Sequence, residues 1–554
     1  MSDLLDPSDR RLYAGRWVAL AYGKVIAQGA TRQEALLTAR QFCRKDRLEL
    51  CYMPELPIQS PTLDRLRQFL PEDISIYLTG GAVRDLVLER PVHDFDFAVP
   101  VGALGLARRL ADKLGGAFFP LDEQNDTARI VLQNADGSRD LLDFTGFRGD
   151  SLEADLRGRD LTINAVAVDF RTGEWFDPLG GLADLRARRI RACAETAFQD
   201  DPLRILRAVR LAAGLGFGIE AQTRQWMKSA VPLLPQTSPE RQRDELFRML
   251  DGPKPDSCMV ALDLLGALPL LLPELPTLKG VTQSPPHIYD VWTHTLAVLR
   301  HLEGILNALA PEYDETAANA DLFNGLLVLR LGRYRQSLGA HLGFAFTPER
   351  SARALLFFAA LYHDIEKPNT RTVEPGGRIR FFGHEERGAL TAVRRGIALR
   401  LSNDELDRLK LLVNHHMRFH FHATRKAENN LAPSRKAIYR FFRDTGEAGI
   451  SLVLLALADR RATADHTLSQ EEWAASLDVA RAFLEAWYEH PETVIRPPRL
   501  LTGDDLLREL NMKPGSEIGR LLEAIRETQA AGQIATREEA LAFARGWLAK
   551  GGET

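Results

Sequence analysis

The chain has 554 residues, of which 45% are hydrophobic and 26% are charged, and its formal net charge is −4. This composition excludes a disordered or fibrous protein, and the length predicts several domains because single cores stop growing near about 250 to 300 residues. The sequence has no uninterrupted apolar run of transmembrane length and no secretory signal pattern, so we expect a cytoplasmic protein without a membrane partner.

The small net charge predicts no general attraction to nucleic acid. A polyanionic partner would therefore bind local basic clusters, such as RARRIR at 186–191. The four cysteines lack the spacing of a disulfide framework or a zinc site. Evidence for function must therefore come from local motifs.

The first predicted unit, residues 1–58, is a small αβ domain of unknown role. The pattern at 15–29 predicts a β-hairpin that turns near Gly23, followed by a helix at 31–43 and a strand at 48–54. The polar, proline-rich stretch at 54–62 predicts a linker.

The predicted secondary structure of the remaining chain changes once, from mixed strands and helices to helices. Strand-like runs alternate with helix-like ones at 63–195, which predicts a mixed αβ region. Strand signals nearly vanish after this region, and apolar helical periodicity predicts three helical parts, at 196–280, 281–485 and 490–554.

Two carboxylates stand one residue apart on the predicted strand DFDFAV. In an extended strand Asp94 and Asp96 project to one face, whereas Phe95 and Phe97 project to the other and can be buried. Carboxylates held this close together favour a cation between them, and Mg²⁺ prefers such oxygen ligands. Asp143, on a neighbouring predicted strand, would complete a site for two metal ions.

The segment GGAVRD lies before this strand and reads as a strand-to-helix turn. Gly80 and Gly81 would leave backbone N–H groups and a helix N-terminus open to a triphosphate, and Arg84 would add a guanidinium for phosphate oxygens. Each element alone has a simpler explanation, namely a glycine turn and a solvated strand end. Their combination favours a nucleotide site.

The segment QDDPLRILRAVRLAA predicts a helix with a start signal at Asp200 and Pro202. Polar residues recur every three positions on one broad face: Asp201, Arg204, Arg207 and Arg210. A solvated stripe of arginines is the simpler explanation for this pattern.

Histidines and aspartates are bracketed by apolar helical runs between 285 and 465: His294, His363, Asp364, His384, His416 and Asp459. Imidazole and carboxylate ligands together suit manganese, iron, nickel or zinc better than calcium. His287 and His415 are neighbouring alternatives of lower rank. A metal-free helical scaffold that keeps vestigial ligands is the alternative explanation.

Six segments follow in one order: GGAVRD, HDFDFAV, LRGRDLTINAVAVD (156–169), DPLGGLADLRARRIR (177–191), QDDPLRILRAVRLAA (199–213) and SPERQRDEL (238–246). In this order the chain strongly resembles the class II tRNA nucleotidyltransferases and bacterial poly(A) polymerases from about residue 63 to 275. The resemblance implies an α+β protein with a mixed-sheet nucleotidyltransferase head at 63–195, an all-α neck at 196–280 and a tRNA-binding tail at 490–554.

The resemblance also implies roles for these residues. Asp94, Asp96 and Asp143 would be catalytic and bind Mg²⁺, and Asp201 and Arg204 would hydrogen-bond the base of CTP or ATP. The nucleotide and its phosphates would contact Gly80, Gly81, Arg84, Arg159, Arg207 and Arg210. Asn164 would position the loop that contains Arg159. The implied reaction is template-independent addition or repair of the 3′-terminal CCA of tRNA, with release of pyrophosphate.

The order His, His-Asp, Asp in the 281–485 part resembles the HD phosphohydrolase domain, although Glu366 stands where a glycine is common. This resemblance implies a divalent transition metal and a phosphatase or phosphodiesterase side activity. Alternatives within the family are a CC-adding enzyme, an A-adding enzyme and a poly(A) polymerase. A different class of alternative is an HD phosphohydrolase with an RNA-binding head.

Overall fold

The computed structural model describes residues 13, 16–22, 24–43, 48–53, 61–71, 74–88, 90–134, 138–312, 321–347 and 350–550. The predicted turn at Gly23 and most of the predicted linker lie outside these residues. The chain divides into two compact units, Met1–Asp200 with Phe217–Trp226, and Asp201–Gly216 with Met227–Thr554. Among the described helices, none is long and apolar enough to cross a membrane.

The first unit begins with a three-stranded antiparallel sheet in the order β2-β1-β3. Its elements are β1 (Arg16–Ala21), β2 (Lys24–Gly29), helix α1 (Arg32–Phe42) and β3 (Glu49–Met53). The Thr31 side chain accepts a hydrogen bond from the Glu34 backbone N–H at 3.1 Å and so caps the helix. The predicted hairpin strands, helix and third strand are confirmed.

The head is built on a seven-stranded sheet in the order β10-β9-β4-β5-β8-β7-β6. The strands are β4 (Tyr77–Thr79), β5 (Asp94–Val99), β6 (Ala117–Asp122), β7 (Thr127–Gln133), β8 (Arg139–Gly146), β9 (Ala167–Asp169) and β10 (Trp175–Phe176). The sheet is mixed because β5 and β8 are parallel, whereas the other neighbours are antiparallel. The mixture of strands and helices predicted at 63–195 is confirmed.

One face of this sheet is buried and the other carries the polar residues. Phe95 and Phe97 are each 1% exposed and pack with Phe144 and with the apolar face of a helix, Ala103–Leu114. The helices of the head are α2 (Pro61–Gln68), α3 (Gly80–Val87), α4 (Ala103–Leu114), α5 (Leu152–Arg157), α6 (Gly181–Arg186) and α7 (Ala197–Asp200). Alternation along β5 therefore leaves its aspartates on the opposite, more open face.

The basic segment at 186–191 has structural partners. The Arg186 guanidinium lies 3.8 Å from the centre of the Tyr52 ring and 5.2 Å from that of Trp17, so it links the head to the N-terminal sheet. Arg189 and Arg191 pair with the buried carboxylate of Asp184 at 2.8 and 2.7 Å. These three arginines therefore have partners within the first unit, although Arg186 and Arg189 are exposed. A short parallel pair, β11 (Arg189–Ile190) and β12 (Gly218–Ile219), ends the unit.

The second unit is predominantly helical. Its helices are α8 (Arg204–Leu215), α9 (Ala221–Ala230, shared with the first unit), α10 (Pro239–Asp251), α11 (Pro255–Leu265), α12 (Leu268–Leu271), α13 (Val291–Ala308), α14 (Leu322–Leu331), α15 (Arg335–Leu342), α16 (Ala352–Tyr362), α17 (Lys367–Thr370), α18 (His384–Ala398), α19 (Asn403–His415), α20 (Arg418–Asn429), α21 (Arg435–Thr445), α22 (Ala448–Ala464), α23 (Gln470–Tyr488), α24 (Gly503–Glu509), α25 (Ser516–Ala530) and α26 (Arg537–Ala549). Two small hairpins were not predicted: β13 (Ala345–Thr347) with β14 (Arg350–Ser351), and β15 (Arg371–Val373) with β16 (Ile379–Phe381).

The predicted start of the arginine helix needs a correction. Asp200 ends α7, and the α-helical part of the next element begins only at Arg204. The backbone N–H groups of Arg204 and Ile205 bond the carbonyls three residues earlier, at Asp201 and Pro202, so the first turn is wound more tightly than an α-helix.

The C-terminal helices form a hydrophobic cluster of their own around Leu506, Leu521, Ile525 and Trp547. Arg440 of α21 donates two hydrogen bonds of 2.6 Å to the carboxylate of Glu527 in α25. This bidentate pair joins the tail to the helical body.

Candidate functional site

The three head carboxylates converge on the open face of the sheet. Asp96 in β5 and Asp143 in β8 are direct partners in the parallel pair, and Asp94 lies two residues before Asp96 on the same face. Asp94 is exposed and Asp96 is half-buried, in contrast to the buried phenylalanines between and beyond them. The structure thus brings the three predicted residues together.

The electrostatics of this cluster favour a cation. Burial raises the pKa of Asp96, the neighbouring Asp143 raises it further, and Arg159 and the Gly81 N–H partly oppose the shift. Burial also raises the pKa of Asp94, against the charge of Arg129. A raised carboxyl pKa means that the ionised form is held at a cost, which a divalent cation with oxygen ligands would relieve. The donor set therefore fits Mg²⁺.

The glycine turn supports the carboxylates directly. Gly80 has φ +73°, and a Cβ at this position would lie 2.6 Å from Asp96 Oδ2. The Gly81 backbone N–H lowers the pKa of Asp96, so its partial positive charge favours the ionised carboxylate. The turn therefore contacts Asp96, whereas its predicted contact with phosphate stays a prediction.

The two predicted phosphate-binding arginines of the head are held in place by acids and an amide. Arg84 donates to Asp85 at 3.0 and 2.6 Å and to Asn164 Oδ1 at 2.8 Å. Arg159 donates two hydrogen bonds, of 3.0 and 2.9 Å, to the buried carboxylate of Asp155. Asn164 therefore orients Arg84, a contact that was not predicted, and its role in positioning the loop stays a prediction.

Arg129 was missed by the motif analysis. Its guanidinium donates to both oxygens of Asp143, at 2.7 and 2.8 Å, from the neighbouring strand β7. No local pattern marks this pair, because the two residues meet only through the strand register.

In the second unit, the predicted base-reading residues have partners from SPERQRDEL. Asp201 accepts a hydrogen bond of 2.7 Å from Arg241, and Arg210 donates one of 2.9 Å to the buried Glu245. Arg204 and Arg207 lie on α8, one turn apart. The i, i+4 spacing of Arg241 and Glu245 was a usable signal, since it places both on one face of α10.

The six predicted histidine and aspartate residues of the body form two groups. His294, His363 and Asp459 make one group of buried side chains, and Asp364, His384 and His416 make the other. Asp364 connects them: its Oδ2 lies 3.2 Å from His363 Nε2, and its Oδ1 lies 3.3 Å from His384 Nε2. One carboxylate oxygen of Asp364 thus faces each group, so Asp364 could supply a ligand to a cation in either one.

Hydrogen bonds define which ring nitrogens face this centre. His363, His384 and His416 each donate Nδ1–H to a backbone carbonyl three residues earlier, at 2.7 Å. Their Nε2 atoms therefore face the centre, and those of His384 and His416 lie 3.3 Å apart. Burial and the two other histidines lower the pKa of His416 to about 3, so the His416 ring is neutral at neutral pH and its Nε2 carries a lone pair.

The carboxylates of the cluster stay ionised. Burial alone would raise the pKa of Asp364, but His363 and Lys367 hold it well below its ordinary value. His294 Nε2, His363 Nε2 and Asp364 Oδ2 are buried without a hydrogen bond of good geometry among the described residues. These inward-facing imidazole nitrogens and carboxylate oxygens fit one or two divalent transition metals.

Three further side chains line this centre. Lys367 Nζ lies 2.6 Å from Asp364 Oδ2, and His420 Nε2 lies 2.8 Å from Asp459 Oδ2. His287, ranked low from sequence, has its ring 5.4 Å from that of His294, and burial lowers its pKa to about 4. The i, i+4 spacing of His416 and His420 was an available signal that the motif analysis did not use.

A cavity of about 420 Å³ opens onto the histidine centre. It is lined by Asp364, Lys367, His384, His420 and Asp459, and by Arg378 and Arg380 beside β16. Glu366, which replaces the common glycine, accepts a hydrogen bond of 2.6 Å from Thr391 of α18. The substitution is thus accommodated by a neighbouring helix.

Three carboxylates across a mixed sheet, a glycine turn and a buried histidine–aspartate centre define a metal-dependent nucleotidyltransferase head joined to an HD-type body. Family models agree: the poly A polymerase head domain matches residues 76–191, a probable RNA- and SrmB-binding site of polymerase A matches 216–278, and the HD domain matches 291–464.

Two relatives extend the match over most of the chain. A CC-adding tRNA nucleotidyltransferase of Thermus thermophilus is 34% identical, over 86% of this chain and 94% of its own length. An A-adding tRNA nucleotidyltransferase of Deinococcus radiodurans is 33% identical, over 85% of this chain and 95% of its own length. The chain belongs to the tRNA nucleotidyltransferase family.

A solved structure supports the fold. A CCA-adding enzyme in complex with ATP superposes with a TM-score of 0.56 at 20% identity, covering 88% of this chain and 96% of that one. The α+β fold with a mixed-sheet head is confirmed.

Proposed function

We propose that the chain is a tRNA nucleotidyltransferase that adds or repairs the 3′-terminal CCA of tRNA, using CTP and ATP and releasing pyrophosphate. The observation that carries the proposal is the alignment of Asp94, Asp96 and Asp143 beside a turn in which Gly80 has no room for a side chain. The family membership supports it across the whole length of the alignment.

In the proposed reaction Asp94 and Asp96 bind Mg²⁺, with Asp143 as the third carboxylate. Bound Mg²⁺ would increase the acidity of the RNA 3′-hydroxyl and offset the charge of the leaving pyrophosphate. Gly81 favours the ionised Asp96 carboxylate through its N–H. Arg84 and Arg159, fixed by Asp85 and Asp155, present guanidinium groups to the triphosphate.

Base selection is assigned to α8 and the turn before it. The Asp201 carboxylate offers acceptors and the Arg204 guanidinium offers donors, which together match the hydrogen-bonding edge of a base. Arg207 and Arg210 are assigned to the nucleotide as well, and Arg241 and Glu245 hold Asp201 and Arg210 in place.

The domain roles follow from these assignments. We assign 63–195 to the nucleotidyltransferase head, 196–280 to a neck that selects bases and binds RNA, and 490–554 to a tail that binds tRNA. Residues 281–485 form the HD domain, and the N-terminal domain, 1–58, has no assigned chemistry.

A narrower version of the function is favoured by one observation. The two relatives, which match this chain almost equally well, are named as CC-adding and A-adding enzymes. A chain that performs only one of these two steps is therefore the second candidate.

The HD centre is proposed as a hydrolytic site for phosphate esters that binds a divalent transition metal. Its ligands would be His294, His363, Asp364, His384, His416 and Asp459. The cationic side chains of the cavity, Lys367, Arg378 and Arg380, are suited to hold a phosphate.

Two variants separate these functions. Purified protein is given a tRNA that lacks its 3′ end, with Mg²⁺, CTP and ATP, and phosphate-ester hydrolysis is assayed in parallel with Mn²⁺ or Ni²⁺. Asp96→Asn should abolish tRNA extension and leave hydrolysis intact, whereas His363→Ala should do the reverse. Extension that survives Asp96→Asn would refute the head assignment.

A further inference from the structure

The open face of the head sheet carries a row of side chains that runs from the carboxylates to the sheet edge. Asp96 lies opposite Asp143 in β8, Asp143 lies opposite Arg129 in β7, and Arg129 lies opposite Phe119 in β6. Directly opposed residues project to the same face of a sheet. The row therefore ends at Phe119 on the edge strand.

The outer half of this row has the chemistry of a nucleic-acid contact. Phe119 is 49% exposed and is the register partner of Arg129. Exposed aromatic rings stack on nucleic-acid bases of any sequence, and arginine binds phosphate oxygens. Arg129 is bonded to both oxygens of Asp143, yet its side chain keeps 36% of its surface in solvent.

We propose that Phe119 and Arg129 form the subsite for the 3′-terminal nucleotide of the acceptor RNA. The terminal base stacks on Phe119, and Arg129 faces the backbone phosphate while it holds Asp143 in position. The inference rests on the proposed nucleotidyl transfer and specifies where the acceptor binds. Continuity with the carboxylates supports an acceptor at this place, because its 3′-hydroxyl has to reach them.

The first test uses Phe119→Ala, with Phe119→Trp as the conservative variant and Leu121→Ala as the matched control. Leu121 is on the same strand and 50% exposed, but it lies in a bulge without a partner in β7. In steady-state extension, Phe119→Ala should raise the KM for tRNA about 5- to 150-fold, the range typical of one stacked base. The KM for CTP should not change, Phe119→Trp should restore the KM for tRNA, and Leu121→Ala should stay within about twofold of wild type.

A binding measurement in EDTA tests the same contact without catalysis. Fluorescence anisotropy compares a tRNA that lacks CCA with the same tRNA made abasic at its last nucleotide. Phe119→Ala should weaken binding of the intact acceptor and leave binding of the abasic one unchanged. Equal losses for both acceptors, or no loss for either, would overturn the stacking assignment.

Arg129 is tested as a positioning residue. Arg129→Ala should lower kcat and raise the KM for tRNA, whereas Arg129→Lys should recover the KM more than kcat, because lysine keeps the charge but not the bidentate pair with Asp143. An unchanged KM for tRNA in Arg129→Ala would refute its contact with the acceptor. If wild-type protein fails to extend tRNA, the proposed function itself fails, which distinguishes the two cases.

Discussion

At the scale of single side chains, the carboxylates of Asp94, Asp96 and Asp143 lie close together in the head, and their mutual repulsion lowers the stability of the fold. Asp94 and Asp96 have raised pKa values, chiefly because each carboxylate loses part of its hydration, and Asp143 adds repulsion. A carboxyl group with a raised pKa in the folded state binds its proton more tightly there than in the unfolded chain. Above that pKa its ionised form therefore destabilises the metal-free fold.

Because the ionised carboxylates destabilise the metal-free fold, we expect a trade-off between stability and activity. Asp96→Asn should raise the melting temperature in EDTA, because it removes a disfavoured charge, yet it should lower extension more than about 100-fold, since loss of even a residue that only orients a metal ligand costs 10- to 100-fold. Asp143→Asn is the contrasting variant and should lower the melting temperature, because it breaks the bidentate pair with Arg129. Thermal unfolding in EDTA checks both directions.

The same shifts predict how Mg²⁺ binding depends on pH. Protons compete with the metal for carboxylates of raised pKa, so Mg²⁺ affinity should already fall with falling pH above the range in which an aspartate of ordinary pKa takes up a proton. Isothermal titration calorimetry measures this, and the double variant Asp94→Asn, Asp96→Asn supplies the background from other sites. A constant affinity above that range would contradict the raised pKa values.

Among turns and helices, the glycine turn offers a controlled test. Gly80 and Gly102 have φ of +73° and +78°, so alanine carries a similar backbone cost of about 1 to 2 kcal/mol at each. A Cβ at Gly80 would meet Asp96 Oδ2, whereas a Cβ at Gly102 has no atom within 4 Å among the described residues. Gly80→Ala should abolish extension, and Gly102→Ala should destabilise the protein but preserve extension per folded molecule.

The helices around the HD centre bring together two groups of candidate ligands, so we expect two metal ions to bind there. Asp364 lies between the two groups of candidate ligands, whereas His416 belongs to one of them. Mass spectrometry of protein loaded with Mn²⁺ should find two ions in wild type, one in His416→Ala and none in Asp364→Ala. His415→Ala is the matched control and should keep both ions, because His415 is outside both groups.

Sequence patterns predicted the features that depend on residues close together in the chain. Alternation along DFDFAV gave the face of Asp94 and Asp96, and the order of histidine and aspartate motifs gave all six residues of the HD centre. The pair of Arg129 with Asp143 depends on strand register, and the pair of Asp201 with Arg241 joins residues 40 positions apart. Such contacts are set by tertiary packing, which local periodicity does not encode.

The same limit applies to the segment at 186–191. Its arginines contact Asp184 and Tyr52, one in the preceding helix and the other on a strand of the N-terminal sheet, and the local pattern does not encode these partners. The start at Asp200 was placed too early because Asp and Pro suit a tight first turn as well as an α-helix.

For the chain as a whole, the two proposed reactions, extension of tRNA and hydrolysis of phosphate esters, depend on separate residues of one polypeptide. The head carboxylates belong to the first unit and the HD centre to the second. Loss of one set of residues should therefore leave the other reaction at its wild-type rate, as in the comparison of Asp96→Asn with His363→Ala.

The most direct test of the central claim is extension of three tRNAs, ending before the CCA, after the first C and after the second C. Each is given to the purified protein with Mg²⁺ and with CTP, ATP or both, and the products are resolved at single-nucleotide resolution. We expect C to be added to the tRNAs that end before the CCA and after the first C, and A to be added only to the tRNA that ends after the second C, so that CTP and ATP together complete CCA. Addition of only C or only A would identify the narrower enzyme, and failure to extend any of the three would contradict nucleotidyl transfer to tRNA.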